Sequence, residues 1–194
     1  MSNITTEQVK ELRDKTGVSV MQCKKALDEA NGDIEKAEIL LRKKSKEIAE
    51  KKASRDLGAG VVSSYIHNNG SVGSLVELLC ETDFVAKNEE FKELARNIAM
   101  QVAATETDFL SKEDIKEDDK KKVLEILQKE VEDKPAEMRD KILEGKLDAY
   151  FRDRVLLEQA YIKNPELKIG DLIQSAVQKF GERTEIGRFV KFNI

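Results

Sequence analysis

The N-terminal part of the chain has three short stretches in which apolar residues recur every three or four positions, as along one face of a helix. Each stretch follows a residue that caps helices well: Thr5, Ser19 and Asp33. The first two caps are followed three positions later by a glutamine, which is capping-box spacing, and Gly17 stands where the first helix would end. The residues expected to face inward are Val9, Leu12, Val20, Cys23, Ala26, Leu27, Ala30, Ile34, Ala37, Leu40 and Leu41. The pattern predicts a three-helix module in residues 1–53, which alone would be only marginally stable.

A charged stretch follows this module. Residues 42–56 carry seven Lys or Arg and three Asp or Glu. A solvated helical spacer is the favoured interpretation, and a basic strip that docks onto a partner is the alternative. Gly58-Ala59-Gly60 ends the stretch. We therefore expect a second domain in residues 54–194.

Three segments of the second domain have the pattern of strands. Residues 61–66 and 72–80 are rich in strand-forming side chains, and Asn-Asn-Gly lies between them at 68–70. This combination predicts a β-hairpin. Residues 185–194 alternate between apolar and polar, so they would complete a small antiparallel sheet with the hairpin.

The rest of the second domain is mostly helical in pattern. A strongly amphipathic helix starts after Asn88, and its apolar face is Phe91, Leu94, Ala95, Ile98, Ala99, Val102 and Ala103. Two narrow apolar stripes within residues 111–158, separated by Asp133-Lys134-Pro135, predict a helical hairpin that projects as an arm. Asn164-Pro165 marks a turn, and a last helix closes at Gly181. The predicted fold class is α+β: a three-helix module, then a core with a small antiparallel sheet, flanking helices and the arm.

Composition narrows the functional class. Charged residues make up 37% of the chain but the formal net charge is −4, whereas a general nucleic-acid binder would show a basic excess. The N-terminus lacks a signal-peptide pattern and no apolar run approaches the roughly 20 residues of a membrane span. With two Cys, no CxxC and one His, we expect no metal site, no disulfide and a reducing, cytoplasmic setting. Direct contact with nucleic acid or membrane is not expected.

Enzyme chemistry finds little support in the residues. The chain has neither a Walker-type Gly-Lys-Ser/Thr nor a complete dinucleotide fingerprint, so we expect no bound cofactor. Cys80 and His67 are the only thiol and imidazole on neighbouring predicted strands, which leaves a thiol enzyme as an alternative. The favoured interpretation of Cys80 is a small buried apolar residue. We therefore do not expect an enzyme.

The connection between the second strand and the amphipathic helix is the candidate binding segment. It places a carboxylate and a large aromatic, Asp83 and Phe84, in a surface connection, where function is often found. Phe84 lies seven residues before Phe91, so it could instead extend the apolar face of that helix. Asp83 could be only a helix cap. The spacing by itself leaves both alternatives open.

Two long motifs resemble the elongation factor Ts family. They are LRDKTGVSVMQCKKAL at 12–27, continued by EANGDIEKA at 29–37, and ELLCETDFVAK at 77–87. The stretch LLEQAYIKNP at 156–165 and the end around 188–190 are also similar to the family. The likeness extends over essentially the whole chain.

The resemblance implies a partner and a set of contact residues. The family's three-helix module is similar to ubiquitin-associated domains and holds the nucleotide-binding domain of elongation factor Tu, with Arg13, Val20 and Met21 at matching positions. The segment Thr82-Asp83-Phe84-Val85 matches the one that inserts beside the partner's magnesium and phosphate region. His67 matches a histidine that contacts another domain of the partner.

The function implied is guanine nucleotide exchange during translation elongation. The chain would bind elongation factor Tu in its GDP-bound and nucleotide-free states and promote GDP release by inserting Asp83 and Phe84. Short members of the family work as homodimers, so a symmetric dimer is expected. An adaptor or chaperone module similar to ubiquitin-associated domains remains the alternative from another functional class.

Overall fold

The structure is a computed structural model that describes residues 4–131 and 135–194, apart from the side chains of residues 136 and 137. Its helices are α1 (Thr6–Thr16), α2 (Val20–Glu29), α3 (Ile34–Lys52), α4 (Asp83–Ala86), α5 (Glu89–Ala104), α6 (Glu117–Glu130), α7 (Ala136–Arg154) and α8 (Ile169–Phe180). Its strands are β1 (Ala59–Ile66), β2 (Val72–Cys80), β3 (Ala160–Tyr161), β4 (Asn164–Lys168) and β5 (Thr184–Asn193). Short 3-10 turns occupy Lys112–Asp114 and Leu156–Glu158. The predicted α+β class is confirmed.

The three predicted N-terminal helices begin at the predicted caps. Thr5 and Gln8 form a complete capping box, in which each side chain binds the other residue's backbone N–H. Ser19 accepts from the N–H of Gln22, but the Gln22 side chain accepts from Gln178 of α8 instead of reaching back to Ser19. Gly17 ends α1 with φ of 68°, a left-handed conformation that glycine adopts without strain.

The core of this module matches the predicted inner faces with two exceptions. Its buried residues are Val9, Leu12, Val18, Cys23, Ala26, Leu27, Ala30, Ala37 and Leu41. The prediction that Val20 and Leu40 face inward is wrong, because both side chains are exposed. Val20 is the first residue of α2, and only the residues further along that helix turn toward the core.

The strand predictions are largely confirmed. β1 and β2 form the hairpin, and β5 pairs with β2 to give a three-stranded sheet in the order β1-β2-β5. A second, two-stranded sheet joins β3 to β4 antiparallel, with Tyr161 opposite Asn164. The predicted turn at Asn164-Pro165 is wrong, because these residues begin β4 and the turn precedes them at Ile162 and Lys163.

The chain divides into two compact units, residues 1–63, 76–97 and 171–187 in one and residues 64–75, 98–170 and 188–194 in the other. The first unit holds the three-helix module, α4 and α8. The second holds the predicted arm. The domain boundary proposed between residues 53 and 54 stays a prediction.

In the first unit the ring of Phe91 packs edge-on against Phe180, with centroids 5.6 Å apart. In the second unit α6 and α7 enclose a cluster of Val123, Leu127 and Phe151. Asp133 and Lys134 of the predicted helix break lie outside the described residues.

A buried glutamine holds the base of the arm. Gln159 is almost fully buried, and its Nε2 lies 2.8 Å from the carbonyl oxygen of Asp153 and 3.0 Å from Oγ1 of Thr107. Its Oε1 accepts from Nε2 of Gln101 at 3.0 Å. Because buried polar groups are costly when unpaired, this network ties the end of α7 to the end of α5.

Replacing Gln159 by methionine should lower the free energy of unfolding by about 2 kcal/mol, because several buried groups would lose their partner. Urea-induced unfolding measures the change. Gln128→Met, at an exposed position of α6, is the matched control and should change stability much less. Equal effects of the two substitutions would contradict a structural role for the Gln159 network.

Candidate partner-binding site

The segment between β2 and α5 folds as a single helical turn, α4, with Thr82 at its N-cap position. Val85 and Ala86 are buried, whereas the side chain of Phe84 is 82% exposed. Residues that point inward thus anchor the turn, and Phe84 points away from the protein. The alternative that Phe84 extends the apolar face of α5 is wrong, since Phe91, Ala95 and Ile98 of that face are buried and Phe84 is exposed.

Asn88 separates α4 from α5. Its Oδ1 accepts from the N–H of Glu90 at 2.8 Å, so it is the helix cap that the sequence predicts. One helix therefore ends and another begins between Phe84 and Phe91. The seven-residue spacing places two side chains on one face only within a continuous helix, so it does not apply here. An exposed aromatic on a fixed turn is a pre-organised anchor, because little order has to be gained when it binds.

Asp83 lies in the first turn of α4 and not at its cap, which Thr82 occupies. Its Oδ2 accepts from Nζ of Lys87 at 2.5 Å, and both side chains are exposed. The hydrogen bond from Lys87 lowers the pKa of Asp83, and the positive charge of Lys87 adds to the effect. Exposed ion pairs of this kind contribute little stability, so a partner could separate them at small cost.

Cys80 is buried immediately before this turn. Its Sγ donates to the carbonyl oxygen of Thr82 at 3.2 Å. Burial raises the pKa of the Cys80 thiol, and the carboxylate of Glu182 raises it further. A nucleophilic cysteine needs the opposite shift, so these surroundings speak against the thiol-enzyme alternative.

The three contact candidates in the helical module are exposed. Met21 is 82% and Val20 53% exposed at the start of α2, and Arg13 is exposed near the end of α1. Ile39 on α3 is also exposed, although the sequence pattern did not predict it as a contact residue. The signal available was the run Ile39-Leu40-Leu41, which is wider than one helix face needs.

His67 follows β1 in the hairpin turn and belongs to the second compact unit. Its backbone N–H donates to the carbonyl oxygen of Val72 at 2.8 Å, which closes the hairpin. Its Nδ1 lies 3.3 Å from the hydroxyl of Tyr65. The imidazole is exposed, so it is available to a partner.

Glu81, directly before the turn, is held by two arginines. Its Oε1 accepts from the backbone N–H of Arg183 at 2.5 Å, and both carboxylate oxygens lie within 3.2 Å of Nη1 of Arg55. The backbone hydrogen bond from Arg183 lowers the pKa of Glu81, and Arg55 lowers it further. Charge-assisted bonds to a partly buried carboxylate fix the end of β2.

This interaction should make the free energy of unfolding depend on pH in the acidic range. The pKa of Glu81 is about 4.3 in the unfolded chain and lower in the folded protein. As pH falls through this interval the unfolded chain takes up the proton first, so the stabilisation present at neutral pH is lost. We expect Glu81→Gln to show a smaller loss of unfolding free energy between pH 7 and acid pH than the wild type does. Urea titrations at several pH values measure it, with Glu125→Gln on α6 as the control substitution. The same acid-dependent loss in Glu81→Gln and wild type would contradict the assignment.

The described residues contain neither a membrane-spanning helix nor a metal-binding cluster. None of the helices in residues 4–131 and 135–194 is both long and apolar enough to cross a bilayer. In the same ranges no group of three or more His, Cys, Asp or Glu is arranged to hold a metal ion.

The chain is similar to known proteins over nearly its whole length. A family model described as Elongation factor TS matches residues 4–194. A protein named Elongation factor Ts from Carboxydothermus hydrogenoformans is 48% identical over 193 residues, which are 98% of this chain and 89% of the relative. The Elongation factor Ts of Thermosipho melanesiensis is also 48% identical over 193 residues, 98% of each chain. That of Thermotoga maritima is 45% identical over 191 residues, 98% of this chain and 96% of the relative. The matched ranges include every candidate site residue.

Proposed function

The chain belongs to the elongation factor Ts family, and from that premise we propose that it is the guanine nucleotide exchange factor of elongation factor Tu. Membership makes it a translation elongation factor. The observation that carries the finer proposal is Phe84, which is exposed on a helical turn anchored by buried neighbours. A translation factor works beside ribosomes, so we assign it to the cytoplasm.

The proposed complex has two sets of contacts. Arg13, Val20 and Met21 hold the nucleotide-binding domain of elongation factor Tu, and their exposure supports this role. Phe84 enters beside the magnesium and phosphate region, and Asp83 accompanies it. Thr82 and Val85 keep the turn in place, since Val85 is buried in the free protein. His67 contacts another domain of the partner.

The energetics of insertion fit an exchange factor. Burying one Phe side chain contributes roughly 1.5–3 kcal/mol, and each 1.4 kcal/mol is about tenfold in an equilibrium constant. If this protein weakens GDP binding by some factor, GDP weakens its binding by the same factor. Either ligand can therefore leave the ternary complex, so the GDP-bound and the nucleotide-free partner are both bound. In this scheme the chain makes and breaks no covalent bond, so the proposed activity is not that of an enzyme.

A second copy of the chain is the other proposed partner. In the second compact unit Ser74 donates to the carbonyl oxygen of Ala99 at 2.6 Å, and Lys191 donates to that of Thr105 at 2.8 Å. These side chains mark the face of β2 and β5 that is covered by α5. Because strand side chains alternate between faces, their neighbours point the other way. That outer face carries exposed apolar residues, which are Ile66, Leu75, Val190, Phe192 and Ile194.

An exposed apolar sheet face of this kind typically marks an interface. A two-fold symmetric dimer would cover it with the same residues of the second copy. The resemblance of this short chain to homodimeric family members points to the same arrangement. We propose no contact with nucleic acid or with membrane, and no cofactor.

Release of a fluorescent GDP from elongation factor Tu tests the function. The wild-type chain at catalytic amounts should accelerate release by orders of magnitude over the spontaneous rate. Elongation factor Tu alone, and with an unrelated acidic protein of similar size, are the controls. Release at the spontaneous rate with the folded wild-type chain would refute the proposal.

A further inference from the structure

Thr82, the residue that starts the α4 turn, has all its polar atoms engaged. Its backbone N–H donates to Oε2 of Glu182 at 3.0 Å, and its hydroxyl donates to Oε1 of the same carboxylate at 2.6 Å. Its carbonyl oxygen accepts from Sγ of Cys80 and from the N–H of Ala86. Two of these four bonds therefore come from one side chain that lies 100 positions further along the chain.

The contact is one half of a reciprocal arrangement. Glu81 accepts from the backbone N–H of Arg183, while Glu182 accepts from the backbone N–H of Thr82. Two neighbouring pairs of residues, 81–82 and 182–183, thus exchange carboxylate-to-backbone bonds. We call these four residues the Glu81–Glu182 clasp.

The clasp side that carries Glu182 is itself fixed. Gly181 directly follows the end of α8, has a left-handed φ of 71° and donates its N–H to the carbonyl oxygen of Val177 at 3.0 Å. Lys52 at the end of α3 donates to the carbonyl oxygen of Gly181 at 2.6 Å. Arg183 donates to the carbonyl oxygen of Arg55 and to the carboxylate of Glu185. The backbone is therefore held in place on both sides of Glu182, the residue that binds Thr82.

Such support matters because α4 is very short. A helix of four residues cannot hold its own shape in water, since nucleation costs more than its few hydrogen bonds return. Its direction is set by what fixes its ends. Val85 and Ala86 are buried at the C-terminal end, and Thr82 is fixed at the N-terminal end. Phe84 lies between these two anchors.

We propose that Glu182 is a positioning residue for nucleotide exchange, which holds Thr82 so that Phe84 is presented in the direction of insertion. This inference rests on the proposed function. Without Glu182 the α4 turn also adopts orientations in which Phe84 cannot insert. The apparent affinity for elongation factor Tu then falls in proportion to the fraction of molecules with the correct orientation.

Exchange kinetics supply the first measurement. Glu182→Ala should lower kcat/KM for GDP release from elongation factor Tu by about tenfold, by loss of the competent fraction. Glu182→Gln should retain most of the activity, because its Oε1 still accepts the N–H of Thr82 and its Nε2 can bond the hydroxyl. Thr82→Val loses the hydroxyl but keeps the backbone N–H, so its kcat/KM should lie between those of Glu182→Ala and Glu182→Gln. Glu166→Ala, an exposed glutamate of β4, controls for the loss of one negative charge.

Backbone order supplies the second measurement, and it needs no partner. The NMR order parameter of the Phe84 amide in the free protein should be about 0.85 in wild type and in Glu182→Gln, and below about 0.6 in Glu182→Ala. Order parameters in α5 should be unchanged, which also shows that the variant is folded. A residue that merely stabilised the fold would not loosen α4 selectively.

The outcomes separate the inference from the function. Slow exchange by Glu182→Ala with an unchanged order parameter at Phe84 would overturn the inference, because Glu182 would then act on the partner directly. A loosened turn with wild-type exchange would overturn it as well. No acceleration by the wild type would refute the proposed function, and the order parameters would still decide whether Glu182 holds the turn.

Discussion

Replacing Phe84 by alanine should lower kcat/KM for GDP release from elongation factor Tu by about 10- to 100-fold. The side chain is exposed in the free protein, so in the proposed complex nearly all of its burial occurs on binding. Loss of the roughly 1.5–3 kcal/mol that a buried Phe contributes converts to this range at about 1.4 kcal/mol per tenfold. The melting temperature should barely change, because an exposed side chain contributes little to the protein's own core. Stopped-flow release of fluorescent GDP and thermal unfolding measure the two effects.

Ile126→Ala is the matched control for Phe84→Ala. Ile126 is an exposed apolar residue of α6, so its truncation removes similar surface at a place with no proposed contact. Its exchange activity should equal that of the wild type. Full activity of Phe84→Ala would keep the function and move the mechanism to Asp83 and the helical module. An equal loss in both variants would mean that exposed apolar surface in general, and not the insertion of Phe84, supports exchange.

The parts of the fold that local chemistry dictates could be predicted from the sequence. Thr5, Ser19 and Asp33 cap the helices that they precede, and Asn68-Asn69-Gly70 lies in the turn of the hairpin. These signals act over a few residues, so tertiary contacts do not overrule them. The side-chain bond of Gln22 to Gln178 is the contrary case, because a partner 156 positions away replaces the local capping-box bond.

The sequence does not predict the small β3–β4 sheet, because the local signals of its two strands are weak or misleading. Proline suits turns, and the pair Asn164-Pro165 therefore pointed to one. Proline is also compatible with the start of a strand, and here it is the second residue of β4. A two-residue β3 carries too short a pattern for periodicity to detect.

The sequence singles out the candidate segment, but it does not predict the geometry of that segment. The motif around Thr82-Asp83-Phe84 marked the segment, but spacing left open whether Phe84 was core or surface. What decides this is the start of a new helix at Asn88, together with the burial of Val85. No sequence pattern predicts the role of Glu182, because its bonds to Thr82 join residues that only the folded chain brings together.

Phe192→Asp should convert the proposed dimer into monomers. Phe192 is 66% exposed and lies on the apolar outer face of β5, so in a symmetric dimer it would be buried by the second copy. The substitution removes that apolar area and places an unpaired carboxylate from each copy at the interface, which costs about 3–5 kcal/mol when a charge is left uncompensated. The dissociation constant should rise by at least about 100-fold. Sedimentation equilibrium should then find the 22.0 kDa mass of one chain instead of twice that value.

Ile126→Asp makes the same chemical change at a comparably exposed position of the arm, and it should leave the mass at twice that of one chain. Thermal unfolding of Phe192→Asp at low concentration, where wild type is also dissociated, should match the wild type, because the residue packs against no core of its own copy. Exchange by the monomer then tells whether one copy presents a complete binding surface. A wild-type chain that sediments as a monomer at tens of micromolar would contradict the dimer. A dimer that survives Phe192→Asp would move the interface to another face.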